Sequence, residues 1–213
     1  MNVLEDLPRV ITAIGGLGTA AFGIVDATKI FAGGVNHIGF RRIGATVTRL
    51  APGMPLNAII LSTLRANWMN GVELADQKSI AKSLIKLNLN SQNAHAVAET
   101  TGIDPEALAA VAANISAGSP FDSAQSDVFA RFDLIVTALL DEAYQRSDQI
   151  YRNWTRALAA VVAIALALAG GTVLQIDPVL SVLAGLLATP LAPIAKDLST
   201  SLATAVNQLQ RTP

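Results

Sequence analysis

Cysteine is absent from the 213 residues, which excludes disulfides, thiolate nucleophiles and Cys-ligated zinc or iron–sulfur centres. Aromatic residues make up only 5% and charged residues 15%, the latter against roughly 25% in an ordinary soluble domain. Neither sign of charge dominates: 15 Lys and Arg stand against 16 Asp and Glu, for a formal net charge of -1. A nucleic-acid binder that works through a bulk basic field needs an excess this chain lacks. Disorder is excluded too, because it needs low hydrophobicity and high net charge. What the chain has in quantity is aliphatic surface: 52% hydrophobic residues and a mean hydropathy of +0.46. Membrane-length apolar runs account for that better than an oversized soluble core.

The clearest run covers residues 157–176 and carries no charge. Twenty helical residues span about 30 Å, the thickness of a bilayer's hydrocarbon core. Tyr151 and Trp154 precede it with Arg152 and Arg156, the arrangement expected at a headgroup boundary. A second charge-free stretch covers 179–195 and is interrupted by Pro190 and Pro193. It is expected either to cross as a kinked helix or to enter and stop. Gly170-Gly171 and Asp177-Pro178 supply turn chemistry for a C-terminal helical hairpin. The third run is N-terminal. Residues 10–25 are charge-free, Asp26 and Lys29 follow, and 30–40 is mostly apolar. Glu5 and Asp6 before Arg9 are unlike the basic start of a cleaved signal, so an uncleaved span over about residues 8–35 is expected.

Basic residues set an expected orientation. Arg41, Arg42 and Arg49 follow the first run, Arg146, Arg152 and Arg156 precede the second, and Lys196 and Arg211 follow the third. The turn at 170–178 holds neither Lys nor Arg. The positive-inside rule then places 41–156 and the C-terminus in the cytoplasm and the hairpin turn outside.

Between the runs the pattern is helical throughout. A helix is expected over 56–69, ended by Asn70-Gly71, and another over 74–89 with Lys78, Lys82 and Lys86 in one stripe. That stripe is expected to be a solvated face, or to touch anionic headgroups. Ser91 is a candidate cap for a short helix to Thr101, and Asp104-Pro105-Glu106 opens a further one to about Ala117. No Pro or Gly occurs over 121–169, so one helix of roughly 50 residues and ~75 Å should run on into the apolar segment. Val128, Phe132, Ile135, Leu139, Ala143, Ile150 and Trp154 mark its apolar face. That face must cover either the short helices or a neighbouring subunit.

Chemistry-bearing motifs are few. Gly16-Leu17-Gly18-Thr19-Ala20-Ala21 fits G-x-G-x-x-A, but Asn36 and His37 stand where the ribose-binding acid belongs. His95 and Glu99 share a helix face without a third ligand, and His37 sits beside Arg41 and Arg42. Neither H-E-x-x-H, G-x-S-x-G nor a P-loop occurs. No catalytic residue, metal site or cofactor is therefore assigned. Small residues at four-residue spacing stand out instead: Gly15, Thr19, Gly23 and Ala27; Ala159, Ala163, Ala167 and Gly171; Ala184, Ala188 and Ala192. In lipid such lines let helix backbones approach and pack. Asp26 and Lys29, three apart, are the intramembrane charge candidates.

In its order of elements the chain resembles a loosely defined class of bacterial inner-membrane proteins with an N-terminal span, a cytoplasmic helical insert and a C-terminal hairpin. Here Asp148-Gln149-Ile150-Tyr151-Arg152-Asn153-Trp154 leads into that hairpin. The resemblance implies an architecture and transfers no activity. The expectation is an all-α integral membrane protein with about three transmembrane or re-entrant helices and a cytoplasmic helical domain. Its parts would be an N-terminal transmembrane helix (1–40), a cytoplasmic helical domain (41–120), an amphipathic helix continuing into the membrane (121–156), a transmembrane hairpin (157–198) and a cytoplasmic tail (199–213). The function expected is non-enzymatic: a self-associating or partner-binding subunit in the bacterial inner membrane, with the lipid bilayer and a homo-oligomer or membrane protein as partners and no nucleic acid. The alternative is a pore-forming or ion-conducting subunit with Asp26 and Lys29 near the pathway.

Overall fold

The computed structural model describes residues 3–28, 33–53 and 56–209. Among them all regular structure is helical: α1 (Val3–Ala27), α2 (Gly34–Leu50), α3 (Leu56–Met69), α4 (Leu74–Asn88), α5 (Ala94–Thr101), α6 (Pro105–Ala117), α7 (Ser123–Leu174) and α8 (Pro178–Leu209). Two of these, α1 over Val10–Ala27 and α7, are long and apolar enough to cross a membrane. Pro178–Pro193 is a shorter apolar stretch within α8.

Helix ends follow local chemistry. Asp104 Oδ1 accepts from the Ala107 amide at 2.8 Å, with Pro105 at the first helical position. Asp177 repeats the device for α8, accepting from the Val179 amide at 2.8 Å ahead of Pro178. The Schellman-type close of α7 places Gln175 at φ 54 and bonds the Ile176 amide to the Gly171 carbonyl at 2.9 Å. The cap of α5 differs from expectation: Asn93 holds the N-cap position, while the Asn90 side chain accepts from the Gln92 and Asn93 amides. The first apolar helix is also shorter than expected. It stops at Ala27, and Gly33 and Gly34, at φ 88 and 49, lead into a separate α2. A side chain at Gly34 would also collide with Thr28, so the break is built on glycine.

The chain divides into two compact units. One comprises Met1–Val35 with Arg152–Pro213, here the terminal unit; the other is Asn36–Tyr151, the central unit. The central unit has an ordinary soluble-type core. Phe40, Ile43, Val47 and Leu50 of α2 meet Ile60 and Leu64 of α3, Ile85 of α4, Val97 of α5, Leu108 of α6 and Phe132, Val136, Leu140 and Tyr144 of α7. The apolar face of α7 thus covers the short helices of its own chain. Phe132 and Ala143 are buried as the spacing implies, and so are Val136, Leu140 and Tyr144, while Val128, Ile135 and Leu139 sit at the margin and Trp154 is exposed. Trp68 anchors one end of this core. Its indole N–H donates to the Asn36 carbonyl at 2.9 Å, its ring meets Tyr144 and Tyr151, and Gly39 leaves room for it.

Candidate functional site

The terminal unit is built the other way round. Its core is made of Ala21, Ala163 and Ala188, with Ile14, Leu17 and Val162 packed against them. Many of its large apolar side chains point out: Val173 is 82% exposed, Val179 66%, Val161 61% and Leu180 58%, with Leu183, Leu186 and Leu187 alongside, while Val25 is buried. A soluble helical bundle does the reverse and buries its Leu and Val. Several hydroxyls close on their own helices. Thr19 donates to the Gly15 carbonyl at 3.0 Å, Thr172 to Ala169 at 2.8 Å and Ser181 to Asp177 at 3.3 Å.

Close approach is set by residues without bulk. A Cβ at Gly18 of α1 would overlap the Ala188 carbonyl of α8, and one at Gly185 would lie 2.5 Å from Cα of Ile164 on α7. At Gly171 it would strike the Ser181 hydroxyl. The inward positions of α1 are Ile14, Gly18, Ala21 and Val25, and those of α8 are Ser181, Gly185, Ala188 and Ala192. Both sets step four, three, four. That four-three step is the spacing of a heptad seam, with Gly15 and Leu17 of α1 beside it.

The lines expected at four-residue spacing therefore divide. Ala159, Ala163 and Gly171 are buried in α7, Ala167 is half-buried, and Ala188 and Ala192 are buried in α8 with Ala184 beside them half-buried. In α1 only Gly15 is buried, whereas Thr19, Gly23 and Ala27 are exposed. Gly16 and Gly23 have open space where a Cβ would stand. Gly18, Ala21, Ser181 and Gly185 were missed because a strict four-residue step drifts across the face that a heptad keeps. Asp26 is on the exposed side of α1; Lys29 lies outside the described residues.

The lysine stripe of α4 is not simply solvated, and this corrects the sequence expectation. Lys78 donates to Asp141 at 2.6 Å and Lys82 to Asp133 at 2.7 Å, while Lys86 pairs with the other Asp133 oxygen and lies 5.2 Å above the Phe129 ring. The partners come from α7, two turns apart on each helix and in antiparallel register. Burial alone would raise the Asp133 pKa, but the hydrogen bonds and charges of Lys82 and Lys86 outweigh it and hold the carboxyl below its usual value. A groove of about 400 Å³ runs along the ladder, lined by Lys78, Lys82, Lys86, Ser83, Thr137 and Asp141 among others. Nearby, Glu142 joins Arg42 and Arg146, each at 2.7 Å.

The remaining candidates hold no joint site. His95 comes nearest to Glu106, at 3.9 Å, and both side chains are exposed. His37 is exposed on α2. Among the described residues no group of three or more His, Cys, Asp or Glu is placed to hold a metal. Compared with family models, curated proteins and solved structures, the chain matches none.

Proposed function

We propose that this chain is an integral membrane protein, inserted through α1, the C-terminal part of α7 and the apolar part of α8, and that it acts by assembly rather than catalysis. The observation that carries the reading is the inversion of the terminal unit, with Ala and Gly at the closest helix contacts and most of the exposed large apolar side chains Val or Leu. In hydrocarbon a large apolar side chain gains nothing by turning inward, and packing favours small residues at helix contacts. The basic flanks at 41–49 and 146–156 support a cytoplasmic central unit, with the turn at 175–177 outside.

The outward small residues of α1, Thr19, Gly23 and Ala27, are the candidate surface for a second copy or a membrane partner. The α7 stripe is not available for that role, because it is spent on the central unit's own core. Mass measurement of the detergent-extracted complex tests the assembly reading. Gly23→Ile adds bulk to an exposed position and keeps the helix apolar, so it should insert normally and yield a smaller species. An unchanged mass would remove α1 as the assembly surface. Ala163→Ile is a poor probe of assembly, since Ala163 is wholly buried in the chain's own core. The ion-conducting alternative has less support. Ala side chains fill the interior of the three helices, so a pathway would have to lie between copies.

A further inference from the structure

The α4–α7 groove has a charge balance that its own walls do not close. At one end Lys78 and Asp141 form a one-to-one pair. At the other, Lys82 and Lys86 share the single carboxylate of Asp133. Each ammonium has three donors, and the aspartate fixes where the two nitrogens stand without using all of them. The Lys86 stem is further held by the Phe129 ring. Both ammoniums line an open groove of about 400 Å³ with Ser79 and Ser83 beside them, within the ~300–1,000 Å³ range of small-ligand sites. Surface lysines that wave freely bind anions weakly, because ordering them costs side-chain entropy. Here part of that ordering is already done.

We infer that the Lys82–Lys86 end of this groove binds a free phosphate oxyanion. A lipid headgroup is out of reach, because Asp133 stands about 24 residues, or about 36 Å of helix, before the apolar run at 157–176. The oxyanion supplies the negative charge that Asp133 cannot provide twice, and it accepts the remaining ammonium donors. Asp141 lies toward the Lys78 end, which favours the Lys82–Lys86 end for an anion.

The chain has no cysteine, so Ser83→Cys in the full-length protein gives a single thiol in the groove. Its labelling rate is measured in neutral detergent with inorganic phosphate or with chloride at equal ionic strength, and in bilayer discs of phosphatidylcholine with or without phosphatidylglycerol. Protection by phosphate in detergent, lost when Lys86→Gln is added, supports the site with a free phosphate ligand. Protection only in discs with phosphatidylglycerol would overturn it, since that result would need a headgroup at a site far from the apolar run. Equal rates under every condition, or protection that survives Lys86→Gln, overturn the proposal. Gln149→Cys, exposed on α7, should label at one rate throughout, and a retained cooperative melting transition shows that Lys86→Gln remains folded.

Discussion

Gly18 of α1 and Ala188 of α8 meet backbone to backbone: a methyl group at residue 18 would overlap the carbonyl of residue 188. Neither helix can yield without losing the contacts around Ala21 and Ala163. Gly18→Ala should therefore destabilise the terminal unit by about 1–3 kcal/mol, the usual cost of overpacking. Gly16→Ala, two residues away with open space around it, should be neutral or slightly stabilising through helix propensity. Thermal unfolding of both variants in one mild detergent measures the difference. Equal melting temperatures would contradict the close α1–α8 approach.

The Asp133 carboxyl links the fold to acid. Its pKa is lowered in the folded chain by Lys82 and Lys86, whose effect exceeds that of burial. A depressed carboxylate contributes stability that is fully present above its unfolded value, about 3.9. That stability is lost as pH falls through the lower folded value. Asp133→Asn should lower the melting temperature at neutral pH, and the gap to the parent should narrow as pH falls below about 4. A gap independent of pH would mean that the ladder contributes through packing alone.

Asp104 caps α6 through the Ala107 amide. Asp104→Ala should cost about 1 kcal/mol, and Asp104→Asn, which keeps the acceptor, much less. Denaturant titration of the chain in detergent, followed at helix-sensitive wavelengths, distinguishes the two.

Topology is testable with the same cysteine-free background. A cysteine at Asn90 should stay unlabelled by an impermeant reagent on intact cells and become labelled after permeabilisation. Labelling of intact cells would reverse the proposed orientation.

Most helices were legible because their ends are written locally. Asp104-Pro105, Asn70-Gly71 and the Pro- and Gly-free stretch from 121 to 169 each specify a boundary or a continuity without tertiary information. The break after Ala27 was not legible from apolarity alone, since 30–40 is apolar again; the pair Gly33-Gly34 was the available signal. The lysine stripe was misread for a different reason. Periodicity shows which lysines share a face but not what stands opposite, and Asp133 and Asp141 lie more than fifty residues away. Their eight-residue separation, equal to that of Lys78 and Lys86, was the one hint. Likewise, four-residue spacing among small residues follows a line on α1 that leaves the chain's own interior after Gly15. The seam there steps four, three, four through Gly18 and Ala21, and only the opposing helix makes that visible.

On the proposed function, the outward Val and Leu of the terminal unit face lipid. Leu183→Cys on α8, bearing a spin label, tests it most directly in the chain reconstituted into bilayers. Leu183 is 49% exposed, so the label does not disturb the core. Relaxation of the label should be enhanced by lipid-soluble oxygen and hardly at all by a water-soluble nickel chelate. A label relaxed mainly by the nickel chelate, on protein that alkaline carbonate strips from the bilayer, would contradict it.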